Sequence, residues 1–341
     1  MTEPNVAALL VVPDSGVIAR RLGRMGHILL NRPRTLNALD LGMIRTVAAA
    51  LEDWRHDPTV HVVVIEGSGD RAFCAGGDIR TVRDAALKRD HATIDAFFTE
   101  EYALNAAIAA YPKPYVAVID GFCMGGGIGL SVHGQIRVAT EAAQFAMPET
   151  AIGLFPDVGA TYALPRLPGY LGMYLGLTGV RLVGADAVHA GIATHLVARA
   201  DLAGLLDGLA ADGMAAVAVH AQALPAFTLS AQREMIDRCF GADSVAAILA
   251  ALAADDSDFA RETLAILQRM SPSSMQWSFE IIRDGGGRDL GQCLDAEFKL
   301  VRRVTLHPDF AEGVRAMVVD KDRKPVWGAL SDPDARTLGP A

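Results

Sequence analysis

Two carboxylates and two glycine turns are the residues of this chain best suited to chemistry. Glu149 and Asp157 each follow a proline, Pro148 and Pro156, within MPETAIGLFPDVG. Gly153 and Pro156 interrupt the spacing between them, which places the acids on a loop and not on one helix face. The glycines lie in AFCAGGDIR, where Gly76 and Gly77 precede Asp78, and in GFCMGGGIGL, which carries Gly125, Gly126 and Gly127. Glycine lets a backbone come close to a ligand, and a helix start supplies amide donors without an intrahelical acceptor. One N–H from each turn aimed at a single carbonyl oxygen, beside carboxylates for nucleophilic or proton work, would equip the chain for acyl chemistry.

Each feature also has a plainer reading. A glycine turn is often only a tight connection, and an acid after proline is often a turn or helix N-cap residue. No GxGxxG followed by a ribose-binding acid and no GxxxxGK[ST] accompanies the turns. Cys74 and Cys123 flank the turns and suggest a thiol nucleophile, but no motif places a histidine near them, and buried free cysteine is the commoner case. Ser131 and His133 lack a GxSxG elbow. By itself the Glu100–Glu101 pair reads as part of a solvated helix face. Arg34 is either a phosphate contact or a solvated loop residue.

The elements that must position these residues alternate between strand and helix. GHILL (26–30), VHVVVIE (60–66) and YVAVI (115–119) read as strands, the latter two as buried on both faces. Thr35 is placed to cap a helix running to Trp54, with Leu39, Met43, Val47, Leu51 and Trp54 at helical spacing. Residues 81–111, 130–138 and 164–197 read as helical. Beyond residue 200 the strand signals fade into successive helices separated by proline and glycine. The pattern predicts an α/β fold with largely parallel sheets and a helical C-terminal region.

Composition narrows the function classes. Half of the 341 residues are hydrophobic (51%), and 31 basic against 40 acidic residues give a net charge of −9. Such a chain offers no general polyanion-binding surface, so nucleic acid is not an expected partner. Four cysteines without CxxC spacing fit a reducing compartment. The start of the chain lacks the basic opening of a signal peptide and the Arg-rich character of a presequence, and charge or proline breaks every apolar run. A cytoplasmic protein without a membrane span is expected. No HExxH or Cys/His cluster calls for a metal.

The ordered set NRPRTLNAL, AFCAGGDIR, KPYVAVIDGFCMGGGIGL, FAMPETAIGLFPDVGATYALPRL and LTGVRLVGADAVHAGIATHLV closely resembles the crotonase (enoyl-CoA hydratase/isomerase) superfamily. Within it, FFTEEYALN, SVHGQ, DAEFKLVRR and DFAEGVRAMVVDKDRKPVW resemble the 3-hydroxyisobutyryl-CoA hydrolase branch. The resemblance implies a crotonase-like ββα spiral core over 15–200 and a helical region over 201–330. It implies an oxyanion hole at Gly77 and Gly126, catalytic Glu149 and Asp157, and substrate contacts at Glu101, Ala75 and Asp78. Hydratases of the superfamily carry a further glutamate where this chain has Gly129, which weakens water addition to a double bond and favours thioester hydrolysis. The implied substrate is a short-chain 3-hydroxyacyl-CoA in valine catabolism, with no cofactor beyond the coenzyme A of the substrate, and assembly into homo-oligomers is an expectation. An enoyl-CoA hydratase or isomerase and a catalytically idle acyl-CoA-binding homologue are the competing readings.

Overall fold

The computed structural model describes residues 9–10 and 16–330. Eleven strands fall among them: β1 (Leu9–Leu10), β2 (Val17–Leu22), β3 (Met25–Leu30), β4 (Val62–Gly67), β5 (Ala72–Cys74), β6 (Tyr115–Ile119), β7 (Phe122–Met124), β8 (Ile136–Ala139), β9 (Gln144–Ala146), β10 (Leu182–Val183) and β11 (His195–Leu196). One sheet has the order β1-β2-β3-β4-β6-β8-β11 and the other β10-β9-β7-β5. From β3 to β11 the larger sheet is parallel. Val62–Ile65 and Tyr115–Ile119 are buried at every position, as continuous apolar strands covered on both faces should be. This is the α/β architecture that the sequence predicts.

The chain forms two compact units that interleave along the sequence. The first takes Met1–Gly77, Ala103–Phe145 and Leu182–Pro225, and it contains the parallel sheet. On one face of that sheet Val62, Val64, Val116, Val118 and Val138 pack with Leu205, Leu209 and Val217. The last three come from the helices Leu202–Asp212 and Ala215–His220. The period of two along β4 and β6 selects this face.

Three local expectations are corrected. Thr35 lies in a 3-10 turn, and the helix Leu41–Arg55 is capped instead by Asp40, whose carboxylate accepts from Met43 N–H at 2.9 Å. Leu36 and Asn37 both take φ 55°, which ends the turn before any helix can continue. The run 130–138 is divided, since the helix Gly126–Val132 stops and β8 begins at Ile136. The stretch 164–197 holds β10 and β11 as well as helices.

The second unit takes Asp78–Tyr102, Ala146–Arg181 and Ala226–Ala341, and its described part is helical. Ser244, Ser257, Ser271 and Asp289 cap successive helices by accepting from backbone N–H groups in the first turn. The turn Glu149–Ile152 meets the helix Pro308–Val314 backbone to backbone. A Cβ at Gly153 would lie 2.4 Å from the Asp309 carbonyl, and one at Gly313 would lie 2.4 Å from that of Ile152. No helix among the described residues is long and apolar enough to cross a membrane.

Candidate active site

In the first unit, β5 and β7 run parallel as neighbours, with Cys74 opposite Cys123, so the two glycine turns emerge side by side. Gly76 takes φ +108° and Gly125 φ +47°, left-handed conformations that glycine adopts readily. A Cβ at Gly76 would be 3.8 Å from Gly126 N, an ordinary contact, so it is the positive φ and not lack of space that favours glycine there. The first turn is held from behind by the NRPRTLNAL segment. Ala75 N–H donates to Leu36 C=O at 3.0 Å, and Leu39 N–H donates to Gly76 C=O at 2.8 Å. The Asn37 amide, fully buried, donates to the carbonyls of Ser68 and Ala72 and accepts from Arg32 N–H. Gly126 opens the helix Gly126–Val132, whose first N–H groups have no acceptor within the helix. Asp78 lies at the start of the second unit, where its carboxylate caps the helix Ile79–Leu87.

The second unit gathers the acids. Glu101 and Tyr102 come from the helix His91–Ala109, Glu149 from the 3-10 turn Glu149–Ile152, and Asp157 from the loop before the helix Ala160–Ala163. Glu297 comes from the helix Leu290–Val304. Glu149 and Asp157 each retain 5% exposure, whereas Glu297 retains none. Asp157 Oδ2 accepts from the Tyr102 hydroxyl at 2.7 Å. Glu149 Oε2 and Glu101 Oε1 are buried without a hydrogen-bond partner among the described residues.

Burial and mutual repulsion set the protonation states. Burial raises the Glu149 carboxyl well above the usual range, with the Asp157 and Glu101 charges adding to the effect. Burial likewise raises Glu101, reinforced by Asp157 and Glu297. Asp157 rises to about 6 by burial, with the Tyr102 hydrogen bond opposing the shift. Glu297 rises to about 8 through burial and the Asp157 charge. Burial thus favours the protonated form of both Glu149 and Asp157, and the Asp157 charge adds to the shift of Glu149. Such a pair offers one carboxylate to attack or to take a proton and one carboxyl to give a proton.

Glu101, Glu149 and Asp157, singled out from the sequence, are thus brought into one electrostatic group, and burial decides against a solvated face for Glu101. Tyr102 and Glu297 were not anticipated, although both lie inside quoted motifs. Glu297 does carry a signal: it falls on the buried stripe of Cys293, Leu294, Leu300, Val301 and Val304. A lone carboxylate on an apolar stripe calls for partners. The thiol and serine readings lose ground. Burial raises the Cys123 thiol, and the Ser131 hydroxyl donates to the Gly127 and Ile128 carbonyls of its own helix.

A family model described as enoyl-CoA hydratase/isomerase matches residues 25–334. Among curated proteins, the mitochondrial 3-hydroxyisobutyryl-CoA hydrolase of Xenopus laevis is 47% identical, covering 93% of this chain and 85% of its own length. The human protein of that name is 46% identical, with coverage of 91% and 83%. Among solved structures, a carnitinyl-CoA dehydratase from Mycobacterium thermoresistibile aligns with a TM-score of 0.90 at 39% identity, covering 95% of this chain and 96% of its own. An enoyl-CoA hydratase from Rhodobacter sphaeroides 2.4.1 aligns with a TM-score of 0.89 at 40% identity, covering 94% and 96%.

Proposed function

The chain belongs to the enoyl-CoA hydratase/isomerase family, and from that premise we propose that it hydrolyses the thioester of a short-chain 3-hydroxyacyl-CoA of the 3-hydroxyisobutyryl type. The observation that carries the reading is the two buried acids Glu149 and Asp157, both raised by burial, in a chain with glycine at position 129. The names of the curated relatives support hydrolysis, whereas those of the aligned structures point to hydration or dehydration. The missing second glutamate favours the former.

In the proposed mechanism the Gly77 and Gly126 amides bind the acyl oxygen, each such donor contributing about 2.7–4 kcal/mol of transition-state stabilisation. In the reactive state Asp157 carries a proton, and ionised Glu149 attacks the thioester carbon or draws a proton from water that does so. The C–S bond breaks, and Asp157 passes its proton to the departing thiolate. In the nucleophilic route water then cleaves the mixed anhydride and restores Glu149. Burial keeps Glu149 poorly solvated, which makes its carboxylate a stronger nucleophile and base. Glu101 contacts the hydroxyacyl end, and Ala75 and Asp78 are the remaining proposed substrate contacts. The chemistry needs no cofactor besides the coenzyme A of the substrate.

Valine breakdown is the proposed metabolic setting. The curated relatives are named as mitochondrial, so the cytoplasmic placement finds no support in them and fractionation must test it. Assembly into homo-oligomers is read by light scattering. The deciding experiment is thiol release from short acyl-CoAs with and without a 3-hydroxyl. Release that prefers the hydroxylated esters supports hydrolysis. Rapid hydration of crotonyl-CoA without thiol release would favour a hydratase, and inactivity on all of them a binding protein.

A further inference from the structure

We propose that Glu297 is a positioning residue for Asp157, holding the 157–161 turn in the conformation that keeps the Asp157 carboxylate on the Tyr102 hydroxyl; the catalytic part of this proposal rests on the hydrolase reading above. The turn has an unusual backbone. Val158 takes φ +55° and Gly159 φ +78°, two consecutive left-handed residues of which the first is β-branched. A β-branched residue persists there only when its surroundings impose it.

Glu297 supplies that constraint. Its Oε2 accepts from Gly159 N–H at 2.8 Å, and its Oε1 accepts from Thr161 N–H at 3.1 Å and from the Thr161 hydroxyl. The turn is closed from within by Ala160 N–H donating to Asp157 C=O at 2.8 Å. Both oxygens of Glu297 are thus engaged with the segment just after Asp157, 138 residues away at Gly159. With no exposed surface, Glu297 cannot touch a substrate, and its influence on the reaction must pass through the turn. Glutamine would match its size but replace one oxygen by an NH2 group, which cannot accept from a backbone N–H.

Two measurements on the full-length protein test this. Hydrogen exchange across 157–161 reads the turn directly, and Glu297→Gln is expected to accelerate it at least tenfold. A double-mutant cycle of Glu297→Gln with Asp157→Asn, followed by single-turnover thiol release, reads the link to chemistry. The expected result is a fall of about 10- to 100-fold in rate for Glu297→Gln alone, little change in KM, and no further loss in the Asp157→Asn background. Unchanged exchange, or equal losses in both backgrounds, overturns the proposal, because a residue that only supports the helices would act independently of Asp157. If Glu297→Gln does not fold, Thr161→Val, which removes one of the three hydrogen bonds, is taken through the same cycle and exchange measurement. Wild-type thiol release from both Asp157→Asn and Glu149→Gln would refute the catalytic roles given to those acids instead, and the exchange result would still decide whether Glu297 holds the turn.

Discussion

Tyr102→Phe tests the electrostatics of the acid pair at a single atom. The Tyr102 hydroxyl donates to Asp157 at 2.7 Å, both residues are almost wholly buried, and phenylalanine keeps the ring while deleting the donor. A hydrogen bond to a charged group contributes about 1.5–3 kcal/mol. At 1.36 kcal/mol per pKa unit, its loss should raise the Asp157 ionisation by about one to two units. From a starting point of about 6 this predicts about 7–8. Because the proposed reaction needs the pair singly protonated, the acid limb of the pH profile of kcat/KM for thiol release should move to higher pH by that amount. The maximal rate should fall less than the rate at pH 6. An acid limb that stays in place, or moves to lower pH, in a variant with an unchanged melting temperature would refute the assignment of this limb to Asp157.

The other predictions address separate parts of the site. Glu149→Gln should abolish thiol release by more than about a thousandfold, as loss of a nucleophile or base does, while leaving substrate binding by calorimetry within a few fold. Gly127→Ala would place a Cβ 2.4 Å from the Cys74 carbonyl oxygen and force the glycine turns apart. A displacement of about 1 Å there should lower kcat about a hundredfold, measured against KM in the same assay. Stability should fall as pH rises from about 4.5 to about 8, because folded Glu297 holds a proton that its unfolded counterpart with an ordinary value of 4.5 releases. The contribution is fully present below 4.5 and lost through about 8, so melting curves against pH should be flatter for Glu297→Gln.

The parts of the site legible in the sequence were those whose constraint is local. Gly76 and Gly125 occupy left-handed turns after strands, and the strands announce themselves by unbroken apolar runs. Glu149 and Asp157 were separable from a helix face because glycine and proline intervene. Thr35 misled because a capping residue is recognised by type, whereas the helix start was decided by Leu36 and Asn37 at positive φ and by the buried amide of Asn37. Tyr102 was silent, and Glu297 signalled only a need for partners without naming them, for a different reason. Their partners lie 55 and 138 residues away, and no local spacing encodes such a pairing.

The dependence of the acid loop on late residues has a consequence for biosynthesis. Glu297 and the Asp309–Gly313 segment emerge from the ribosome long after Glu149 and Asp157, yet they anchor the turns on which those acids sit. A nascent polypeptide that ends before them carries both acids without the contacts that hold their turns. On the proposed mechanism, thioester cleavage therefore waits until Glu297 and the Asp309–Gly313 segment have been synthesised and have docked on these turns.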